Sequence, residues 1–77
     1  MADTEKVDKK KLLHFRNSLM PYLMEAWGVD NYGLSILLEK YNLVPYIDAS
    51  YELYQTMGVG GIIEDLKEFI FEQGGEI

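Results

Sequence analysis

The chain has 77 residues, contains no cysteine and carries a formal net charge of −6. Disulfide bonds and thiolate metal sites are therefore excluded, and the length allows at most one domain. Residues 17–77 carry ten acids against only Lys40 and Lys67, whereas most bases lie in residues 1–16. An acidic body of this kind repels the phosphates of nucleic acids and favours basic protein partners.

The N-terminus shows no apolar segment of the signal-peptide type. The longest apolar run is three residues, as at positions 36–38, whereas a membrane-spanning helix needs roughly 20. We therefore expect a cytoplasmic protein that has no contact with a membrane.

In chain order, residues 1–7 are predicted to be a flexible tail. Asp8 can cap a helix that begins near Lys9, and apolar residues at helical spacing continue this helix to Gly28. Pro21 interrupts it, because an interior proline removes a backbone hydrogen bond. The sequence thus predicts either one kinked helix or two shorter helices that meet at Pro21.

A second helix is expected to begin after Asp30 or Asn31 and to end at Asn42, a residue type that tolerates the left-handed conformation of helix ends. A third helix should run from about residue 43 to 57. The glycine-rich stretch at residues 57–61 predicts a turn, and a fourth helix with one apolar face follows.

The glycine pair at 74–75 should end that fourth helix. The sequence therefore predicts an all-α fold with one domain over residues 8–73 and a C-terminal tail at 74–77. This domain is a small bundle of four short helices, or of five if the first one divides.

No pattern of catalytic or metal-binding residues stands out. His14 is the only histidine and lacks converging ligands nearby in sequence. The stretch Gly58-Val59-Gly60-Gly61 precedes a helix as phosphate loops do, but the Lys-Ser/Thr pair of that motif is missing. We therefore predict no enzymatic activity, no cofactor and no metal.

The neighbouring acids Glu64 and Asp65 also have two interpretations. Adjacent helical residues point about 100° apart, so the two carboxylates cannot share one catalytic site. The favoured interpretation is stabilisation of the first turn of the fourth helix, where negative charge is favourable. The alternative is a contact with a partner.

The six tyrosines are the most informative residues, and three of them, Tyr46, Tyr51 and Tyr54, fall on the predicted third helix. They could cover the core with their hydroxyls in water. Alternatively, they form an exposed aromatic patch, with Tyr46 and Tyr54 the best candidates. Together with Glu64 and Asp65, these tyrosines are the candidate partner-binding residues.

The partner of such a patch would be another protein or a second copy of the chain. A different class of function also stays open, which is a nucleic-acid-associated regulator with a helix-turn-helix-like arrangement. Its support is the basic start of the first helix, at Lys9, Lys10 and Lys11, and the shortness of the helices.

Residues 51–58, Tyr-Glu-Leu-Tyr-Gln-Thr-Met-Gly, and the helix that follows at 62–70 resemble the bacterial domain-of-unknown-function family 3791. Members of that family have a Tyr-x-x-Leu-His-Thr-x-Gly stretch and then an Ile-Val-Glu-Asp-Ile helix. Gln55 stands where the family usually has histidine, and Gly61 where it usually has an aromatic residue. The resemblance extends over about residues 32–70, and the first 30 residues show no match.

The family resemblance implies a small companion protein, because its members are often encoded beside a protein with an ADP-ribosyltransferase-like fold. An antitoxin-like role, in which the small protein binds or restrains that enzyme, is what the resemblance suggests.

Overall fold

The computed structural model describes residues 8–77. These residues form five helices and no strand, which confirms the all-α fold. The helices are α1 (Lys9–Trp27), α2 (Asn31–Lys40), α3 (Leu43–Ala49), α4 (Tyr51–Tyr54) and α5 (Val59–Glu72). The tail predicted at residues 1–7 lies outside the described residues.

Helix α1 begins and ends where the sequence predicted. The Asp8 carboxylate accepts a hydrogen bond from the Lys10 backbone N–H at 3.1 Å, and Gly28 ends the helix in the left-handed conformation with φ 66°. Pro21 lies inside this single helix, so the alternative of two helices is wrong. The missing N–H of Pro21 leaves the Asn17 carbonyl without its helical partner, and because Asn17 and Pro21 are both exposed, water can bind this carbonyl.

The second helix also follows its local signals. The Asp30 side chain caps α2 by accepting a hydrogen bond from the Gly33 N–H at 2.8 Å. Asn42 adopts the left-handed conformation, with φ 55° and ψ 46°, between α2 and α3. The sequence prediction for this helix end is therefore confirmed.

The predicted third helix is wrong in its extent, because it divides at Ser50 into α3 and α4. Ser50 has φ −94° and ψ 8°, away from helical values, although its N–H still donates to the Tyr46 carbonyl at 3.0 Å. Nothing in the local sequence marks this break, since serine is tolerated both inside helices and at their ends.

The predicted glycine turn at 57–61 is shorter than expected. Gly58 is extended and caps α5, and the helix begins at Val59, so that Gly60 and Gly61 belong to its first turn. At the other end α5 ends at Glu72, and Gly74 adopts a positive φ of 86°. The predicted glycine stop is therefore confirmed.

Every helix contributes to one hydrophobic core, and α5 contributes most regularly. Its buried residues Ile62, Leu66 and Ile70 recur every four positions and form a continuous stripe. Burial of each such side chain stabilises the fold by about 1.5–3 kcal/mol. The other core residues are Leu19, Leu23, Leu34, Tyr41, Leu43, Ile47 and Tyr54.

Helix α1 contacts α2, α3 and α5, and α3 contacts α1, α2 and α4, so these two helices hold the others together. An ion pair adds to the contact between α1 and α3, because Arg16 Nε lies 3.0 Å from Asp48 Oδ1. Within residues 8–77, no helix combines the length and the apolar character that crossing a membrane requires.

Candidate functional site

Two of the tyrosines singled out from the sequence converge on one carboxylate. The hydroxyls of Tyr46 and Tyr54 both donate to Asp65 Oδ2, at 2.8 Å and 2.5 Å. These bonds join α3 and α4 to α5 across 19 and 11 residues of sequence. Hydrogen bonds to an ionised acceptor are roughly twice as strong as neutral ones, so this group, the Tyr–Asp cluster, ties the three helices together.

The environment of the cluster keeps its phenols protonated. Tyr54 is 1% exposed, and burial, followed by the hydrogen bond to Asp65, raises the pKa of Tyr54 well above its ordinary value of 10. The same two causes raise the pKa of Tyr46. With raised pKa values, both phenols stay protonated to a higher pH than an ordinary tyrosine and remain hydrogen-bond donors to Asp65.

Aromatic contacts extend the cluster. The Tyr46 ring stacks on Phe69 with centroids 3.9 Å apart and planes 11° apart. Phe15 of α1 meets the Tyr51 ring edge-on at 5.3 Å and also contacts Tyr54 at 6.4 Å. The three tyrosines are thus packed against α1 and α5 and do not form an exposed patch.

The placement of these tyrosines corrects both sequence interpretations. Tyr54 is a core residue, whereas Tyr46 and Tyr51 are half-buried. The core interpretation expected hydroxyls in water, but those of Tyr46 and Tyr54 bind Asp65. One signal could have indicated this, because Asp65 lies three residues after the buried Ile62 and four before the half-buried Phe69, on the side of α5 where a carboxylate needs a partner.

The interpretation of Glu64 and Asp65 as first-turn acids is wrong. Because α5 begins at Val59, both fall in its second turn, where the effect of the helix dipole has largely decayed. The two side chains also have different environments. Asp65 is half-buried in the Tyr–Asp cluster, whereas Glu64 is exposed. A partner contact through Glu64 stays a prediction.

The exposed aromatic residues are not those that the sequence favoured. Tyr32 is 75% exposed and Tyr22 is 51% exposed. Tyr32 and Ile36 lie one turn apart on the outer side of α2. Among residues 8–77, the large apolar side chains left on the surface are Leu13, Tyr22, Tyr32, Ile36, Leu53, Phe71 and Ile77.

A pocket of about 220 Å³ lies beside the last turn of α1 and the middle of α5. It is lined by Ala26, Trp27, Ile63, Glu64, Lys67 and Ile77. Pockets that hold small molecules usually measure about 300–1,000 Å³, so this one is small for a cofactor.

The remaining sequence candidates lie apart from the pocket and the cluster. His14 is exposed on α1. Among residues 8–77 no group of three or more His, Asp or Glu side chains is arranged to hold a metal ion. Gln55 and Gly61, which depart from the family pattern, are both exposed.

Comparison with known proteins supports the family resemblance and extends it. The model of the family described as "Protein of unknown function (DUF3791)" matches residues 14–73, which run from the first half of α1 to just beyond α5. The expectation that the first 30 residues have no match is therefore wrong for residues 14–30. No match was found among curated proteins or among solved structures. Since the family model covers most of the chain, the protein belongs to the DUF3791 family.

Proposed function

We propose that the protein is a non-enzymatic protein-binding module. The observation that carries this proposal is the amount of large apolar surface on so small a fold, which includes two tyrosines more than half exposed. Exposed aromatic side chains are typical anchors of protein interfaces, since they bury much area at low cost in conformational entropy. The pocket beside α5 is smaller than usual small-molecule sites, which also favours a macromolecular partner.

The charge of the folded body indicates what kind of protein the partner is. Residues 17–77 carry ten acids and two bases, so long-range attraction favours a basic surface. The family resemblance suggests an ADP-ribosyltransferase-fold protein encoded nearby, which this chain would bind or restrain as an antitoxin-like companion in the bacterial cytoplasm. The other candidate partner is a second copy of the chain.

Co-purification and sedimentation test the proposal. The chain is co-expressed with the product of the neighbouring gene, and each is also purified alone. We expect a stoichiometric complex that survives size-exclusion chromatography, or a concentration-dependent dimer of the chain alone in sedimentation. If the chain stays monomeric and retains no partner from its native host, the proposal is wrong.

The nucleic-acid alternative rests on Lys9, Lys10 and Lys11, which are exposed at the start of α1. Three lysines beside an acidic body give a weak electrostatic footprint, because affinity for nucleic acid comes from many phosphate contacts. A gel-shift assay at low salt decides between the two functions. A shift that weakens steeply as salt increases would favour the regulator over the protein-binding module.

A further inference from the structure

We propose that the outer side of α5 and the pocket beside it form a docking site for a basic helix of the partner protein. In this arrangement an arginine or lysine of that helix occupies the pocket and pairs with Glu64. A second base one turn away on the partner pairs with Glu68. The inference rests on the proposed function and deepens it by naming the surface and the chemistry of the partner.

The composition of the pocket suits a long basic side chain. Ala26, Trp27 and Ile63 supply apolar walls, and Glu64 supplies a carboxylate at the same pocket. An arginine or lysine side chain has an apolar stem and a charged head, so it satisfies both kinds of surface at once. A volume of about 220 Å³ is enough for one such side chain, since a cavity of about 150 Å³ already accommodates benzene.

The charges on the outer side of α5 are complementary to a basic helix. Glu64 and Glu68 are both exposed and lie four residues apart, which places them about 6 Å apart along the helix axis. Two bases four residues apart on a partner helix have the same separation, so both pairs can form together. Arginine is also enriched among residues that dominate interface affinity.

The one base at the pocket does not cancel this complementarity. Lys67 lines the same pocket as Glu64, but among residues 8–77 its ammonium forms no ion pair within 4.0 Å and lies 5.8 Å from the centre of the Phe71 ring. Phe71 itself is 47% exposed and offers an apolar contact beside the two carboxylates. The apolar area can therefore bury against a partner, while the two carboxylates at its rim pair with the partner's bases.

Trp27 makes the site directly measurable, because it is the only tryptophan in the chain and it lines the pocket. The probe is a synthetic, tryptophan-free helical peptide rich in alanine, with two arginines four residues apart. A matched peptide has glutamine in place of both arginines. We expect the arginine peptide to cause a saturable change in Trp27 emission that weakens as salt increases, and the glutamine peptide to cause none.

Charge-neutralising variants test which surface binds the peptide. We expect Glu64→Gln combined with Glu68→Gln to weaken arginine-peptide binding at least tenfold. The matched control combines Glu25→Gln with Glu39→Gln, two exposed acids on α1 and α2, and should change the dissociation constant less than twofold. An absent response in the wild-type chain, or an equal loss in the control, would overturn the inference.

The complex from the co-purification separates this inference from the proposed function. If the native partner binds normally to the Glu64/Glu68 variant but not to a chain with Tyr32→Ala and Ile36→Ala, the docking site is wrong and the protein-binding function stands. If the wild-type chain neither binds a partner nor self-associates, both proposals are wrong. If the Glu64/Glu68 variant loses the complex while the Tyr32/Ile36 variant keeps it, the docking site and the protein-binding function are both supported.

Discussion

The substitution Asp65→Ala should destabilise the fold strongly, because it removes the acceptor shared by two tyrosines on different helices. Tyr54 is 1% exposed, so without Asp65 its hydroxyl is left buried and unpaired. Tyr46 is only half-buried, so its hydroxyl can recover a partner from water. The cost of the substitution therefore falls mainly on Tyr54.

The magnitude follows from these two environments. A buried hydroxyl that loses its partner costs about 1–3 kcal/mol, and a hydrogen bond that water can replace costs about 0.5–1.5 kcal/mol. The sum is about 1.5–4.5 kcal/mol, against a total stability of about 4–12 kcal/mol for a chain of this length. For a domain of this size the melting temperature should fall by about 10 °C or more.

Urea unfolding followed by circular dichroism and by Trp27 fluorescence measures this cost, and coincident transitions justify a two-state analysis. The matched control is Glu64→Ala, which removes the same charge from the neighbouring but exposed position and should change stability by less than about 0.5 kcal/mol. Alanine is the better helix former, which works against the predicted loss at Asp65. Equal effects of the two substitutions would refute the reasoning.

Three further predictions concern the pH response, the glycines and the ion pair. The pKa of Tyr54 is higher in the folded chain than in the unfolded one. Above pH 10 the unfolded chain therefore binds fewer protons than the folded chain. As a result, the free energy of unfolding falls by up to about 1.4 kcal/mol per pH unit for each such tyrosine. Urea midpoints between pH 9 and 11 should therefore fall less steeply in Tyr54→Phe than in the wild type, and equal slopes would contradict this. Gly28→Ala should cost about 1–2 kcal/mol in a thermal melt because Gly28 is left-handed. Gly60→Ala should instead stabilise by about 0.5–1 kcal/mol, since the new methyl group meets nothing within 4 Å. A stabilising Gly28→Ala or a destabilising Gly60→Ala would contradict the assigned backbone conformations. A double-mutant cycle of Arg16→Ala and Asp48→Ala should give a coupling energy of about 0.5–3 kcal/mol. High salt should weaken this coupling only slightly, because the paired Nε and Oδ1 atoms are shielded from solvent. A coupling energy near zero would contradict the 3.0 Å ion pair.

The features that the sequence predicted correctly depend on neighbouring residues only. Asp8 and Asp30 cap helices through backbone groups two and three residues away. Gly28 and Gly74 adopt positive φ values at helix ends because glycine has no Cβ to oppose them. Such signals are readable from the chain because their cause lies within one helical turn.

The sequence predicted which residues take part in the candidate site, but not how they are arranged. The sequence singled out Tyr46, Tyr54 and Asp65, but it assigned the tyrosines to water or to a patch and Asp65 to a helix end. Nothing local shows that residues 11 and 19 positions apart meet at one oxygen atom. The break at Ser50 belongs to the same tertiary arrangement, since in an uninterrupted helix residues 46 and 54 would be about 12 Å apart along the axis.

The sequence by itself determined the helical class, most helix ends, the acidic body and the family. Hydrophobic period, capping chemistry and composition act over short distances or over the whole chain, so they need no knowledge of packing. Only the tertiary structure decided which tyrosines are buried, which carboxylate they bind and which apolar side chains are left on the surface. The physical reason is that a helix can bury one apolar side against several neighbours, and the choice among them depends on contacts between residues distant in sequence.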